Sequence, residues 1–241
     1  MLDTKLLERR INYRNFYKDK YPTREKIEEI IQEAIDLSPL TSELKKIAID
    51  IHGPEHSSLK HDLMLTTVSA ETTESRSLQK KHYDSEEEWI EKVKKFYEIS
   101  PHTFNRQVEA PYLITIRESD PKKTKLYFGD PSKRWYAKLL YQEVGILSYI
   151  LALVANRHEV DAAFCRCFQR TKENNLVNNS ETKPILFIGM GYYDFDEKSL
   201  FKRDGDWIEH EYKGGRYNIV TRERDGYKKN KPTMDQIINW K

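Results

Sequence analysis

Cysteine is nearly absent: among 241 residues only Cys165 and Cys167 occur. Two thiols cannot build a disulfide framework, so a reducing cytoplasm is the expected compartment. One residue apart in an extended segment, they would point the same way, about 7 Å from each other, too far for an unstrained disulfide. No second pair exists to complete a zinc site, so both read as buried or half-buried thiols. An excess of charge is lacking too. Lys and Arg number 41 against 39 Asp and Glu, a formal net charge of +2, which favours neither nucleic acid nor membrane as a partner. No apolar run approaches the roughly 18 residues of a membrane span. The first ten residues lack the apolar stretch of a secretory signal. A Gly-rich phosphate loop is missing, and Gly189-x-Gly191 lies inside an apolar run rather than at a helix start. His52, His56 and His61, with Glu55 and Asp62, do not have metal-ligand spacing and read as a polar loop. The expectation is a soluble intracellular protein without a metal.

What is present is aromatic and amphipathic. Fifteen Tyr, nine Phe and four Trp offset a 33% share of charged residues, since aromatics bury much area each. The length suits a single domain over 1–241, with a mobile excursion at 69–85 and a charged hairpin insertion at 194–230 around Gly214-Gly215. Residues 5–16 are charged and helical in flavour. Thr23 reads as an N-cap, and Ile27, Ile30, Ile31, Ala34 and Ile35 form one buried helical face that Pro39 ends. Ile47, Ile49 and Ile51 alternate with polar neighbours as a half-buried strand. Glu86 to Ile99 is a second helix, with Trp89, Ile90, Val93, Phe96 and Tyr97 inward. A strand follows Pro111, and Leu126 to Phe128 suggests another. A long helix runs from about Lys133 to Ala155, apolar nearly all round after Val144, so it should be buried on every side, within the core or between subunits. Ile185 to Met190 reads as a central strand covered on both faces, and Thr233 to Trp240 as a terminal helix or arm.

Five stretches in order carry a resemblance: Arg10-Ile-Asn-Tyr-Arg-Asn-Phe16, Ser38-Pro-Leu-Thr-Ser42, Ala110-Pro-Tyr-Leu-Ile-Thr-Ile116, and Ile185 to Tyr192 with Lys231-Pro-Thr-Met-Asp-Gln-Ile-Ile238. Together they resemble the nitroreductase family across nearly the whole chain. The resemblance implies an α+β fold, a three-layer α-β-α sandwich around a mixed, mostly antiparallel sheet, in a homodimer that holds FMN at its interface. It implies an oxidoreductase that passes hydride from NAD(P)H to a small electron-poor acceptor, with no catalytic side chain because the flavin carries the chemistry. By that alignment Arg10, Asn12, Arg14, Lys229 and Lys231 grip the FMN phosphate, for which guanidinium forks and short donors are suited. Thr41 and Lys45 line the ring. Cys165, Arg166 and Cys167 face flavin N5 through backbone amides.

The chain departs from the family at several of these places. Ile11 stands where the family has its first arginine, and Asn12 replaces a serine. Glu43 replaces an asparagine, and Lys45 a glutamine. Glu159 to Phe168 has neither the proline nor the glycines of the family's turn. These departures keep open a second class of function, a flavin-free protein of the same fold acting as a binding or interaction module. A third, nucleic-acid binding through Arg216 to Lys231, would show steep salt dependence.

Overall fold

The computed structural model describes residues 15–38, 47–67, 77–119, 134–166 and 184–194, and the strand segments 202–203, 206–207, 209–213 and 216–220. The chain divides into two compact units, Met1–Asp194 and Phe195–Lys241.

In the first unit, α1 (Arg24–Leu37) begins at Thr23, whose hydroxyl accepts the Lys26 N–H at 3.2 Å. That bond satisfies one of the orphan donors of the first turn. Its buried face is Ile27, Ile30, Ile31 and Ala34, and the helix stops at Ser38. Strand β1 (Ile47–His52) leads through a 3-10 turn at Pro54–His56 into α2 (Ser57–Leu65). Helix α3 (Glu86–Ile99) is capped by the Ser85 hydroxyl, which accepts the Glu88 N–H, and three glutamates stand in its first turn where the helix dipole favours them. Then come β2 (Tyr112–Glu118), the 24-residue α4 (Arg134–Arg157), β3 (Asp161–Cys165) and β4 (Pro184–Gly191).

The four strands form one sheet in the order β1-β2-β4-β3, every pairing antiparallel. β4 has a partner on each side, which explains its unbroken apolar sequence. The register sets Ile49 beside Ile116, Thr115 beside Phe187 and Ala162 beside Met190. Alternation then sends successive side chains to opposite faces. On one face Ile114, Ile116, Ile188 and Met190 pack with the apolar sides of α1 and α4. On the other, Leu113, Phe187 and Cys165 pack with Leu63 and Met64 of α2 and Trp89 and Val93 of α3. The result is a three-layer α-β-α arrangement around an antiparallel sheet, an α+β fold.

Several sequence expectations need correction. The stretch after β1 is not a polar loop: His52 ends β1, His56 closes a 3-10 turn and His61 lies in α2. Leu59, Lys60, Leu63 and Met64 share a helical face that the surrounding polar residues hid. Phe16 belongs to no helix but makes an isolated antiparallel bridge with Tyr193. Within the stretch expected to be mobile, 69–76 lie outside the described residues. Leu78, however, is buried, and its carbonyl accepts the Trp89 indole N–H at 2.7 Å. In α4, Tyr141, Ile146 and Tyr149 are each about two-fifths exposed, so of the two coverings expected, within the core or between subunits, the described residues supply the first only in part. The α4 portion Lys138–Arg157 is also long and apolar enough to cross a membrane by length and composition, contrary to the expectation that no run comes close. Yet 56% of its most apolar stretch is buried within the protein, and the helix packs on α1 and β3, as a core helix does. The proposed helix at 5–14, the strand at Leu126 to Phe128 and the terminal helix at 233–240 lie outside the described residues.

The described residues of the second unit form two antiparallel pairs, β5 (Lys202–Arg203) with β6 (Asp206–Trp207) and β7 (Glu209–Lys213) with β8 (Arg216–Val220). The pairing of Lys213 with Arg216 leaves Gly214 and Gly215 between the strands, the hairpin expected there.

Candidate functional site

Of the ten residues proposed to hold a cofactor, Arg10, Asn12, Arg14, Thr41, Lys45, Cys167, Lys229 and Lys231 lie outside the described residues. Cys165 and Arg166 are described. Cys165 ends β3, only 3% exposed, with its side chain in the core layer beneath α2 and α3. It is one of the buried thiols expected. Arg166, the next residue, is exposed.

The chain just after Arg14 has a well-built seat. Asn15 and Phe16 are buried, and the backbone runs antiparallel to the residues that follow β4. The Tyr17 N–H donates to the Tyr192 carbonyl at 2.9 Å, and the Asp194 N–H to the Asn15 carbonyl at 3.1 Å. Tyr193 donates its own N–H to an Asp161 carboxylate oxygen at 2.8 Å, tying the same place to the start of β3. Phe16 lies against Gly191, and so does Pro111: a Cβ at Gly191 would come within 2.9 Å of the Pro111 ring and 3.2 Å of the Phe16 ring.

Beneath Pro111 is a buried cation. Lys60 of α2 is 2% exposed, and its ammonium donates to the carbonyls of Ala110 and Pro111 at 2.8 and 2.6 Å. Burial pushes its pKa down to about 8, against the opposing pull of Glu55 and Glu109. His52 lies nearby, held below the usual histidine range by burial first and then by His56, whose ring meets it edge-on at 5.6 Å. The His52 Nε2 is buried with no hydrogen-bond partner. No cluster of three or more metal-ligating side chains occurs among the described residues.

At the other end of the β3–β4 pair, Gln107 donates from Nε2 to the Phe164 carbonyl at 3.1 Å, while its Oε1 is buried without a partner. A Cβ at Gly189 would run into the Gln107 carbonyl oxygen. The close approaches at both glycines of β4 are therefore taken by the protein itself. Of the described residues, those next to positions proposed for a flavin are Arg166, at the exposed end of β3, and 15–17, just after Arg14. By residue type, guanidinium and ammonium groups such as those of Arg10, Arg14, Lys229 and Lys231 are what a phosphate dianion requires, and these residues all lie outside the described ones. Asp161 pairs with Gly191 and Cys165 with Phe187, so the two regions stand four residues apart along β3, roughly 13 Å.

Lys60, Gln107 and the seat of residues 15–17 were not picked out from the sequence. A signal for Lys60 was there, a lone cation at i, i+3, i+4 spacing with Leu63 and Met64.

No family model and no curated protein matches the sequence. Solved structures do match in three dimensions. An FMN and NADPH-dependent nitroreductase, NfnB from Sphigopyxis sp. strain HMH, superposes with a TM-score of 0.56 at 13% identity, covering 100% of this chain and 99% of that one. A nitroreductase with bound FMN from Desulfitobacterium hafniense DCB-2 gives 0.52 at 16% identity over 80% and 91% of the two chains. A nitroreductase family protein from Streptococcus pneumoniae TIGR4 gives 0.51 at 15% identity, with 99% of each chain covered. At such identities the likeness speaks for architecture, and with the sheet order and its two helical layers it gives a plain result: this chain has the nitroreductase fold.

Proposed function

We propose that this protein is a flavin-dependent oxidoreductase that binds FMN non-covalently, takes hydride from NAD(P)H and passes it to a small electron-poor acceptor. The observation that carries the reading is the seat of residues 15–17 at the end of the central strand, directly after Arg14, in a fold whose solved neighbours include FMN-bound enzymes. Bound FMN would supply the redox chemistry. The chain's own residues would grip and orient it: Arg10, Asn12, Arg14, Lys229 and Lys231 toward the phosphate, Thr41 and Lys45 along the ring, and the backbone of Cys165 to Cys167 near N5. A homodimer belongs to the same proposal. The stripe of Tyr141, Ile146 and Tyr149 on α4 is apolar surface that a second copy would cover.

The test is the colour of the purified protein, followed by titration with FMN. A yellow preparation, or quenching of flavin fluorescence on titration, supports the reading. A colourless protein that leaves FMN fluorescence unchanged at about 100 μM refutes it. Arg14→Ala is expected to weaken FMN by about 2 kcal/mol, close to 30-fold, for loss of one charge-assisted contact.

A second reading, a flavin-free binding module on the same fold, is favoured by Glu43, which by the resemblance replaces an asparagine of the family's ring-lining segment, and by the glycine clefts of β4 being filled by Gln107, Pro111 and Phe16. A colourless dimer that binds no flavin would select it.

A further inference from the structure

A buried lysine with main-chain carbonyls as its hydrogen-bond acceptors is an expensive way to hold a turn. Its placement here suggests what it holds. Lys60 reaches from α2 to the carbonyls of Ala110 and Pro111, at the point where the chain enters β2. The Pro111 ring packs on Gly191, and the Phe16 ring packs on the same glycine. The backbone on either side of Phe16 is bonded to Tyr192 and Asp194, just beyond Gly191. A continuous series of contacts therefore runs from Lys60 through Pro111 and Gly191 to Phe16.

We infer that Lys60 is a positioning residue: by fixing the Ala110–Pro111 turn it fixes the seat of residues 15–17, and with it the point from which the chain bearing Arg14 reaches the flavin phosphate. The part concerning the phosphate rests on the flavin reading above; the part concerning the seat does not. Lys60 touches neither phosphate nor ring. It acts through Pro111 and Phe16, so its loss should be felt at the phosphate end of the ligand and not at the ring.

The experiment compares FMN with riboflavin, which has the same ring and no phosphate, on wild-type protein, Lys60→Met and Gly191→Ala. The second variant disturbs the same seat from the opposite side, because its methyl group presses on Pro111 and Phe16. It decides the matter if Lys60→Met fails to fold. Both variants are expected to raise the FMN dissociation constant about tenfold while changing that of riboflavin by less than about twofold. Amide hydrogen exchange at Tyr17 and Asp194, whose N–H groups bridge the seat, should quicken by about tenfold or more in each variant. Equal loss of both flavins, or no loss of either, overturns the inference while leaving the flavin reading intact. If wild-type protein binds neither flavin, the flavin reading falls. Exchange then decides the seat alone: unchanged rates at Tyr17 and Asp194 overturn it, and quickened rates support it.

Discussion

The buried ammonium of Lys60 makes a prediction about stability and pH that can be worked through. Its pKa falls from 10.5 to about 8 on folding, a drop of about 2.5 units, or about 3 kcal/mol at 1.36 kcal/mol per unit. Between pH 8 and 10.5 the unfolded chain holds the proton that the folded chain has released. The unfolded state then binds more protons, and stability rises with pH across that window. Below pH 8 both states are protonated, and the folded protein bears the full cost of the buried charge. Lys60→Met removes that cost but leaves the buried carbonyls of Ala110 and Pro111 without the amine, at about 1–3 kcal/mol each. Near pH 7 the two effects oppose each other, and the variant should be close to wild type in stability. Toward pH 10.5 the balance changes. A neutral amine still carries two N–H groups, enough for both carbonyls, so wild type keeps its bonds and sheds the penalty. The difference between the two proteins should therefore move by about 3 kcal/mol in favour of wild type between pH 7 and 10.5. Urea unfolding of both at matched pH measures it, and taking the difference cancels the titration of the other lysines and tyrosines. A difference constant to within about 0.5 kcal/mol over that range would refute the reasoning.

Two further predictions follow from packing. Gly189→Ala drives a methyl group into the main-chain carbonyl of Gln107, which cannot move away as a side-chain tip could. It should destabilise by about 2 kcal/mol or more in thermal or urea unfolding, and a loss under about 0.5 kcal/mol would mean that the Gln107 turn yields easily. For the proposed dimer, light scattering should give about twice the 28.7 kDa of the chain, and Ile146→Glu should shift the protein toward monomer by placing a charge in the apolar stripe. Wild-type monomer at micromolar concentration would count against the dimer.

The parts of the fold that were legible in the sequence are those where one physical signal acted alone. Thr23 is a cap with an acid in the turn that follows, and α1 starts there, while α3 starts at Glu86 as its apolar pattern predicts. The unbroken apolar run at Ile185 to Met190 could only be a strand with neighbours on both sides, and β4 is that strand. Where two signals competed, the sequence misled. Lys60 and three histidines gave residues 52–61 a polar composition that masked the short apolar face of α2. Of the candidate site, Cys165 was legible as a buried thiol because it ends an extended apolar segment. The seat of residues 15–17 was not, because it depends on a pairing between residues about 177 positions apart, Phe16 with Tyr193, which no local pattern can announce.

The sheet order has a consequence for synthesis. β2 can pair with β1 as soon as it is made, but its other edge waits for β4: Leu113 meets Gly189, 76 residues further along the chain. At about 5–20 residues per second a ribosome takes roughly 4–15 s to cover that distance. For that time Ile114 and Ile116 stand on an open strand edge with α4, itself rich in apolar residues, emerging behind them. The nascent chain is then at its stickiest, and a cell that makes this protein in quantity would need its chaperones most while residues 120–190 are being translated.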